Sequence, residues 1–386
     1  MNLLFLIVVI CALFLNTNIG KVMGFTNPTA VAFSPMALYL TFALLTRKIH
    51  YNKIATYLLI LAVIILLCKW SIGQNYIVLI GQLLVVPMLI FICFDRLTTQ
   101  QSSTLRRLMI LFFILVCALA IVERALNYHF FPVNVNPYYL RRGYFRSYSF
   151  FVHPLIGAYF VTIFMSFLSI VHFKRKKNQI FLFFLGYLSL FCFDGRTAIL
   201  VATFILFPYF FWKVYKTSGK NRWIIILGVI CMLLGLLYLI SETSFGSGRF
   251  MTARLMDESG QTRLDVFNFY KYYNKRDDMI WGSPDNIQYM AEKLGAGGVE
   301  NGIVVFVLEY GIIFAPILLL LLFLLQYQSL SIYTTPDKLM LLFVFWGLGS
   351  TNPNLSAPIS WALWIFVYYA FKSTHMPIGG VLVQRE

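Results

Sequence analysis

The sequence predicts an all-α, polytopic integral membrane protein with about twelve transmembrane helices and one large extracytoplasmic loop. Three observations predict it. Of 386 residues, 60% are hydrophobic and only 12% charged, at a mean hydropathy of +0.77, which excludes an ordinary soluble globular chain. The apolar residues gather into twelve stretches. A single 59-residue polar interruption, 242–300, breaks their rhythm.

The stretches are 2–16, 28–45, 54–68, 76–94, 108–126, 148–173, 179–193, 197–214, 223–241, 301–326, 338–350 and 358–372. Crossing the hydrocarbon takes about 20 residues, so those of thirteen to fifteen residues are the shortest candidates. The first has no Lys or Arg ahead of it and no small-residue cleavage site behind it. It reads as a first span rather than a removable signal peptide. No linker or low-complexity tract divides the chain, which reads as one membrane domain, 1–386, with loop 242–300 inside it.

Charge sets the expected orientation. With both termini in the cytoplasm, 17 basic residues and three acids (Asp95, Asp337, Glu386) face inward, and 14 basic and 12 acidic residues face outward. The net charge of +16 then divides into +14 inside and +2 outside, the bias that insertion imposes. The basic balance therefore reflects topology, and no nucleic-acid partner is implied. All six cysteines lie in or beside apolar spans, so no disulfide framework is expected. No Cys/His spacing suits zinc and no Asp-x-Asp occurs, so no metal or cofactor is expected.

The long loop reads as structured. Thr262 and Asp265 are spaced as a capping box, and Leu264, Phe267, Tyr270 and Tyr273 recur every three residues, as one helical face. Such a face suits a helix at the lipid headgroups or one packed on the ends of the bundle.

Arginine is distributed against the topological bias. Nine of sixteen, namely Arg124, Arg141, Arg142, Arg146, Arg196, Arg249, Arg254, Arg263 and Arg276, map to outer loops or outer helix ends. The planar guanidinium binds phosphate oxygens two at a time and stays charged in poorly hydrated sites. The alternative is pairing with the acids of the same loops. Arg196 lies in Phe193-Asp-Gly-Arg-Thr197, a tight link between spans, where the next helix begins. An arginine at a helix N-terminus suits an anion; an Asp194–Arg196 pair that holds the turn is the plainer reading. Arg142 and Arg146, four apart, would share a face if their segment were helical. His153 follows, either as a packed residue or as a base. Glu300-Asn301, at the end of the loop, stands where the chain re-enters the membrane, as a cap or as a catalytic group.

Four local patterns carry a resemblance. They are Arg142-Gly-Tyr-Phe followed by His153-Pro154 and Gly157; Asp194-Gly-Arg196-Thr-Ala; Gln261-Thr-Arg263-Leu-Asp running to Met279-Ile-Trp-Gly282; and Glu300-Asn301, nine residues, then Gly311. Arg146, ten residues and Gly157 form a further match. In these patterns, which come in the family's order, the chain resembles the O-antigen polymerase and O-antigen ligase superfamily of GT-C-type membrane glycosyltransferases. Glu300 stands where the ligases carry their functional histidine, so the likeness is closer to the polymerases. The polymerases' second pattern, arginine, fifteen residues, glycine, is absent from the loop.

The resemblance implies transfer of a glycan from an undecaprenyl-pyrophosphate carrier to an acceptor hydroxyl, in the bacterial inner membrane. The polymerase would join oligosaccharide repeat units into O-antigen, capsule or a related surface polysaccharide, with a chain-length regulator as a possible partner. A ligase that delivers polymer to a lipid A core, and a polysaccharide flippase, are the rival readings. Leaving pyrophosphate needs preorganised cations and a hydroxyl nucleophile benefits from a base. Arg196 and Arg263 are the expected leaving-group cations and Glu300 the expected base. Arg142, Arg146, His153, Arg254 and Asn301 complete the expected substrate-binding set.

Overall fold

The computed structural model describes residues 2–15, 17–25, 31–32, 35, 38–39, 52–95, 97–131, 145–171, 173, 175–215, 265–271, 273, 275–294 and 299–372. Candidate span 223–241 lies outside them, as do Arg142, Arg254, Thr262 and Arg263, and 28–45 is described at five positions.

Among the described residues the chain is helical, without a strand. The helices are α1 (Asn2–Ile10, continued by a π turn Cys11–Leu15), α2 (Asn18–Val22), α3 (Lys53–Ser71), α4 (Ile77–Phe94), α5 (Thr99–Leu126), α6 (Pro154–Ile170), α7 (Lys176–Phe193) and α8 (196–215). After them come α9 (Arg276–Trp281), α10 (Asp285–Lys293), α11 (Gly302–Ser329), α12 (Thr335–Thr351) and α13 (Pro358–Lys372). Five of these, α3, α4, α5, α8 and α11, are long and apolar enough to cross a membrane.

Local chemistry fixes the ends. The Asn52 side chain accepts from Ala55 N at 3.1 Å to start α3, and Thr98 with Gln101 forms a reciprocal capping box that starts α5. That box puts the start of α5 nine residues before the apolar run at 108, because its first turns are polar and hydropathy does not register them. Arg106 consequently lies inside the helix, and its Nε donates to Ala370 O at 2.9 Å. In the opposite sense, 145–153 is not helical; α6 starts only at Pro154, where a missing N–H costs nothing. The condition under which Arg142 and Arg146 would share a helical face therefore fails at Arg146.

The centre of the bundle is α6, flanked by α5, α7, α8, α12 and α13. It is apolar all round and buried over nearly its whole length, as a helix surrounded by others must be. Ring pairs fasten it, with Phe164 stacked on Phe113 of α5 at 4.2 Å and Phe167 parallel to Phe371 of α13 at 6.2 Å.

Helix α11 carries the principal irregularity. Gly311 interrupts it with φ 75° and ψ 172°, a conformation essentially restricted to glycine. Beyond this kink, 312–329 is about 27 Å long at 1.5 Å per residue, close to the roughly 30 Å of a bilayer core. The outer arm, 302–310, runs past the ends of α3 and α4. Their connecting turn meets it late, with the Tyr76 hydroxyl donating to Glu309 O at 2.9 Å.

Residues 276–294 occupy the space beside that arm, α9 and α10 both packing on α11. Ser283 N donates to Leu308 O at 2.9 Å and the Asn286 side-chain amide to the same oxygen at 3.2 Å. Upstream, Phe267 and Tyr270 of the three-residue recurrence lie in a 3-10 helix, Val266–Lys271, with a kink at Asn268; Tyr273 follows it and Leu264 lies outside the described residues. Three residues is the 3-10 repeat itself, and Phe267 and Tyr270 both lie exposed on it.

Candidate functional site

The site begins with segment 145–149, which straddles the start of the apolar stretch expected at 148 and which the fold inserts between α5 and α7. Glu123, fully buried near the end of α5, organises it. Its carboxylate accepts from Tyr148 N and Ser149 N, each at 2.8 Å, and from Phe130 N at 3.3 Å. Ser147 hydroxyl donates to Ala120 O at 2.7 Å and Ser147 N to Cys192 O at 2.9 Å; Arg124 donates to Phe145 O. Ser149 takes a left-handed φ of 52° to fit.

This framework delivers Arg146, only 8% exposed, to the α7–α8 turn. Its Nε donates to Phe193 O at 3.4 Å and its Nη2 to Asp194 O at 3.3 Å, while Nε lies 3.8 Å from Asp194 Oδ2. The turn itself is as tight as the sequence predicts. Asp194 is left-handed (φ 53°), Gly195 caps, and Arg196 is the first residue of α8. Asp194 is paired here with Arg146, a partner the local reading of the turn did not consider.

Glycines let the parts close. A Cβ on Gly157 would sit 2.5 Å from the Phe193 ring and one on Gly195 would sit 2.8 Å from Ala158 Cβ. The first two family-like patterns thus pack directly on each other. The third and fourth do the same. A Cβ on Gly282 would lie 2.3 Å from Gly311 N, and one on Gly311 would lie 2.1 Å from Ile280 O.

His153 ends the inserted segment, and its Nδ1 accepts from Leu155 N at 3.3 Å to cap α6. His153 is exposed at the start of α6. Desolvation, and secondarily the Arg146 cation, push its pKa below the ordinary value; the Glu300 carboxylate opposes them. Arg146 and Glu300 therefore each lie within electrostatic reach of His153. A neutral ring that accepts at Nδ1 carries its proton on Nε2, so that atom is a donor.

Glu300 is half-buried, one residue before the N-cap of α11. Capping falls to its neighbour, because Asn301 Oδ1 accepts from Ile303 N and Val304 N, both at 3.1 Å. Gly302 then runs against α12, where a Cβ would meet Gly349 O at 2.3 Å and Asn352 O at 2.8 Å. Asn354 donates to Leu155 O at 3.3 Å and joins the 353–356 turn to the start of α6.

The fold thus brings Arg146 and His153, from one segment, into the electrostatic neighbourhood of Glu300 and its neighbour Asn301, from a second segment far along the chain. Arg196 sits beside the turn that Arg146 holds, at the head of a helix packed on α6 and α12. Sequence reasoning missed two structural groups, Glu123 as organiser and Lys69 as a clamp on the loop. Both had a legible signal, an ionisable residue within or at the end of an apolar run. No protein-family model matches the chain, and no curated protein does.

Proposed function

We propose that this chain is a GT-C-type polytopic membrane glycosyltransferase that polymerises undecaprenyl-pyrophosphate-linked repeat units at the extracytoplasmic face of the bacterial inner membrane. The observation that carries the reading is that Glu300, far along the chain, acts electrostatically on His153, whose segment also supplies the Arg146 that holds the Arg196 turn. Twelve spans, cytoplasmic termini and an outward loop belong to the same reading, and the +14 to +2 charge division supports them.

The chemistry follows from the residues. Glu300 accepts the proton of the attacking acceptor hydroxyl as the new glycosidic bond forms. The bond from the anomeric carbon to the pyrophosphate oxygen breaks, and that oxygen leaves as an anion. Arg196 and Arg263 face the anion, where preorganised cations lower the barrier most. Arg142 and Arg254 bind the same lipid-linked substrates. Arg146 contributes by fixing the turn that carries Arg196. His153 cannot serve easily as the base while Nδ1 accepts from Leu155 N; its Nε2–H instead donates to Glu300 or to a sugar oxygen. Asn301 holds the helix start that presents Glu300.

Arg196→Lys keeps the charge and loses the fork, so it should lower polymerisation on the order of a hundredfold. Polymerisation by Arg196→Lys at the wild-type rate removes the arginine's assigned role. Ligase and flippase are tested in the same cells. Glu300→His makes the local motif ligase-like and tests whether the carboxylate is required. Loss of a polymerase leaves single repeat units on the outer face, whereas loss of a flippase strands them inside.

A further inference from the structure

Lys69 ends the apolar helix α3 and is completely buried. Its ammonium donates to Trp281 O, to Gly282 O at 2.6 Å and to Gln74 Oε1 at 3.3 Å, and lies 4.2 Å from the centre of the Tyr76 ring. Every one of these partners lies within the α3–α4 turn or at the end of α9. A buried ammonium without such acceptors would be strongly unfavourable, so the contact is a built clamp between the loop and the spans.

The clamp also fixes a level. Two helices long enough to cross a membrane, α3 and α4, end at this turn, so the bilayer surface passes close to it. The Gly311 kink lies at the same level and opens a stretch of membrane length. Around it the surface is apolar. Trp70 is 76% exposed, Ile77 64% and Ile312 43%, the last immediately after the kink. Helix α9 is held against this belt by its last two carbonyls, and its own Met279 and Ile280 are 36% and 37% exposed. Its first turn carries Asp277 and Asp278, with Lys275 just ahead. Trp281 turns the other way, onto Phe314 of α11 at 6.1 Å.

We infer that α9 is a membrane-surface anchor: Met279 and Ile280 enter the lipid at the headgroup–acyl boundary, and Lys69 sets their depth. The occupant is the bilayer itself, because α9 is clamped to the end of α3 and packed on α11, helices of membrane length whose nearby Trp70, Ile72, Ile312 and Ile313 are exposed. The first-turn charges remain in the headgroup layer, where Lys275 meets phosphate. A helix of this kind is amphipathic along its length rather than around it, and it is effective only because the clamp holds it in place. This anchoring does not depend on the polymerase reading.

Full-length protein with its native cysteines replaced is reconstituted in phosphatidylcholine vesicles, with nitroxide labels at Met279→Cys, Ile280→Cys or Asp285→Cys. Collision with oxygen, which concentrates in lipid, is compared with collision with a water-soluble nickel chelate. Labels at 279 and 280 should favour oxygen several-fold over the label at 285. Equal nickel accessibility at all three positions would overturn the anchor. Adding Lys69→Gln should move the 280 label toward nickel, with an unchanged label in α5 reporting that the bundle survives. A 280 label that stays at its depth without Lys69 would overturn the clamp's part.

Discussion

Replacing Gly311 by alanine tests the architecture at its tightest point. The residue has φ 75° and ψ 172°, and an added Cβ would lie 2.1 Å from Ile280 O and 2.6 Å from Trp281 C. Holding an L-residue in this conformation costs about 1–3 kcal/mol. The clash is with backbone, which no rotamer change relieves, and overpacking adds about 1–3 kcal/mol. Gly311→Ala should therefore weaken docking of 276–294 by about 2–6 kcal/mol. The assay is limited proteolysis of the purified protein in nanodiscs, with thermal unfolding alongside. Cleavage within 276–294 should accelerate by more than tenfold, since about 1.4 kcal/mol is a factor of ten in an equilibrium. Gly347→Ala is the internal control. It lies in α12 with no atom nearer than 3.8 Å to the new Cβ, and alanine in a helix interior is neutral to stabilising. If Gly311→Ala cleaves and melts like Gly347→Ala, the close crossing of Gly282 and Gly311 is not what holds the loop.

Three further outcomes follow. Glu123→Gln turns an amide donor toward backbone N–H groups that now donate to carboxylate, so it should cost about 1–3 kcal/mol and lower the melting temperature; an unchanged melt would show that segment 145–149 is held otherwise. Arg146→Lys keeps a cation near Asp194 but cannot reach both Phe193 O and Asp194 O, so it should also destabilise by about 1–3 kcal/mol, and a silent Arg146→Lys would refute the fork's role in the turn. His153 has a folded pKa below its unfolded value of about 6.5, so the unfolded chain binds more protons and stability is lost as pH falls from about 6.5 toward 4. His153→Gln should flatten that part of the melting-versus-pH curve, and an identical curve would show that the ring does not titrate differently in the fold.

What the sequence made legible was whatever depends on composition and short spacing. Apolar runs marked the five helices of membrane length, though not α2, α9 or α10, and Asp194-Gly-Arg196 was recognisable as a tight link because so few residues separate two spans. Helix starts were less legible. The polar first turns of α5 fall below any hydropathy threshold, and 148–153, counted within an apolar stretch, is kept out of the helix where Glu123 accepts from Tyr148 N and Ser149 N, residues 25 and 26 apart from it. Regular spacing at Phe267 and Tyr270 left the helix type open, because a repeat of three suits a 3-10 helix as well as one side of an α-helix. At the site, residue type and side of the membrane singled out Arg146, His153, Arg196, Glu300 and Asn301. Their division of labour was not legible, because it depends on which atom each side chain offers. Asn301 capping α11 leaves Glu300 uncommitted to that task, and Nδ1 of His153 capping α6 leaves Nε2 as the other ring nitrogen, a donor in the neutral ring.

The most direct test of the account is polymerisation in vitro, using purified protein and an undecaprenyl-pyrophosphate-linked repeat unit as the sole substrate, followed as a ladder of product lengths. Wild-type protein should build the ladder and release undecaprenyl pyrophosphate. Glu300→Gln, folded and inserted, should slow it by a factor on the order of a hundred or more. A wild-type protein that makes no ladder, or a Glu300→Gln variant that makes it at the wild-type rate, would contradict the assignment of this end of the bundle as the catalytic site.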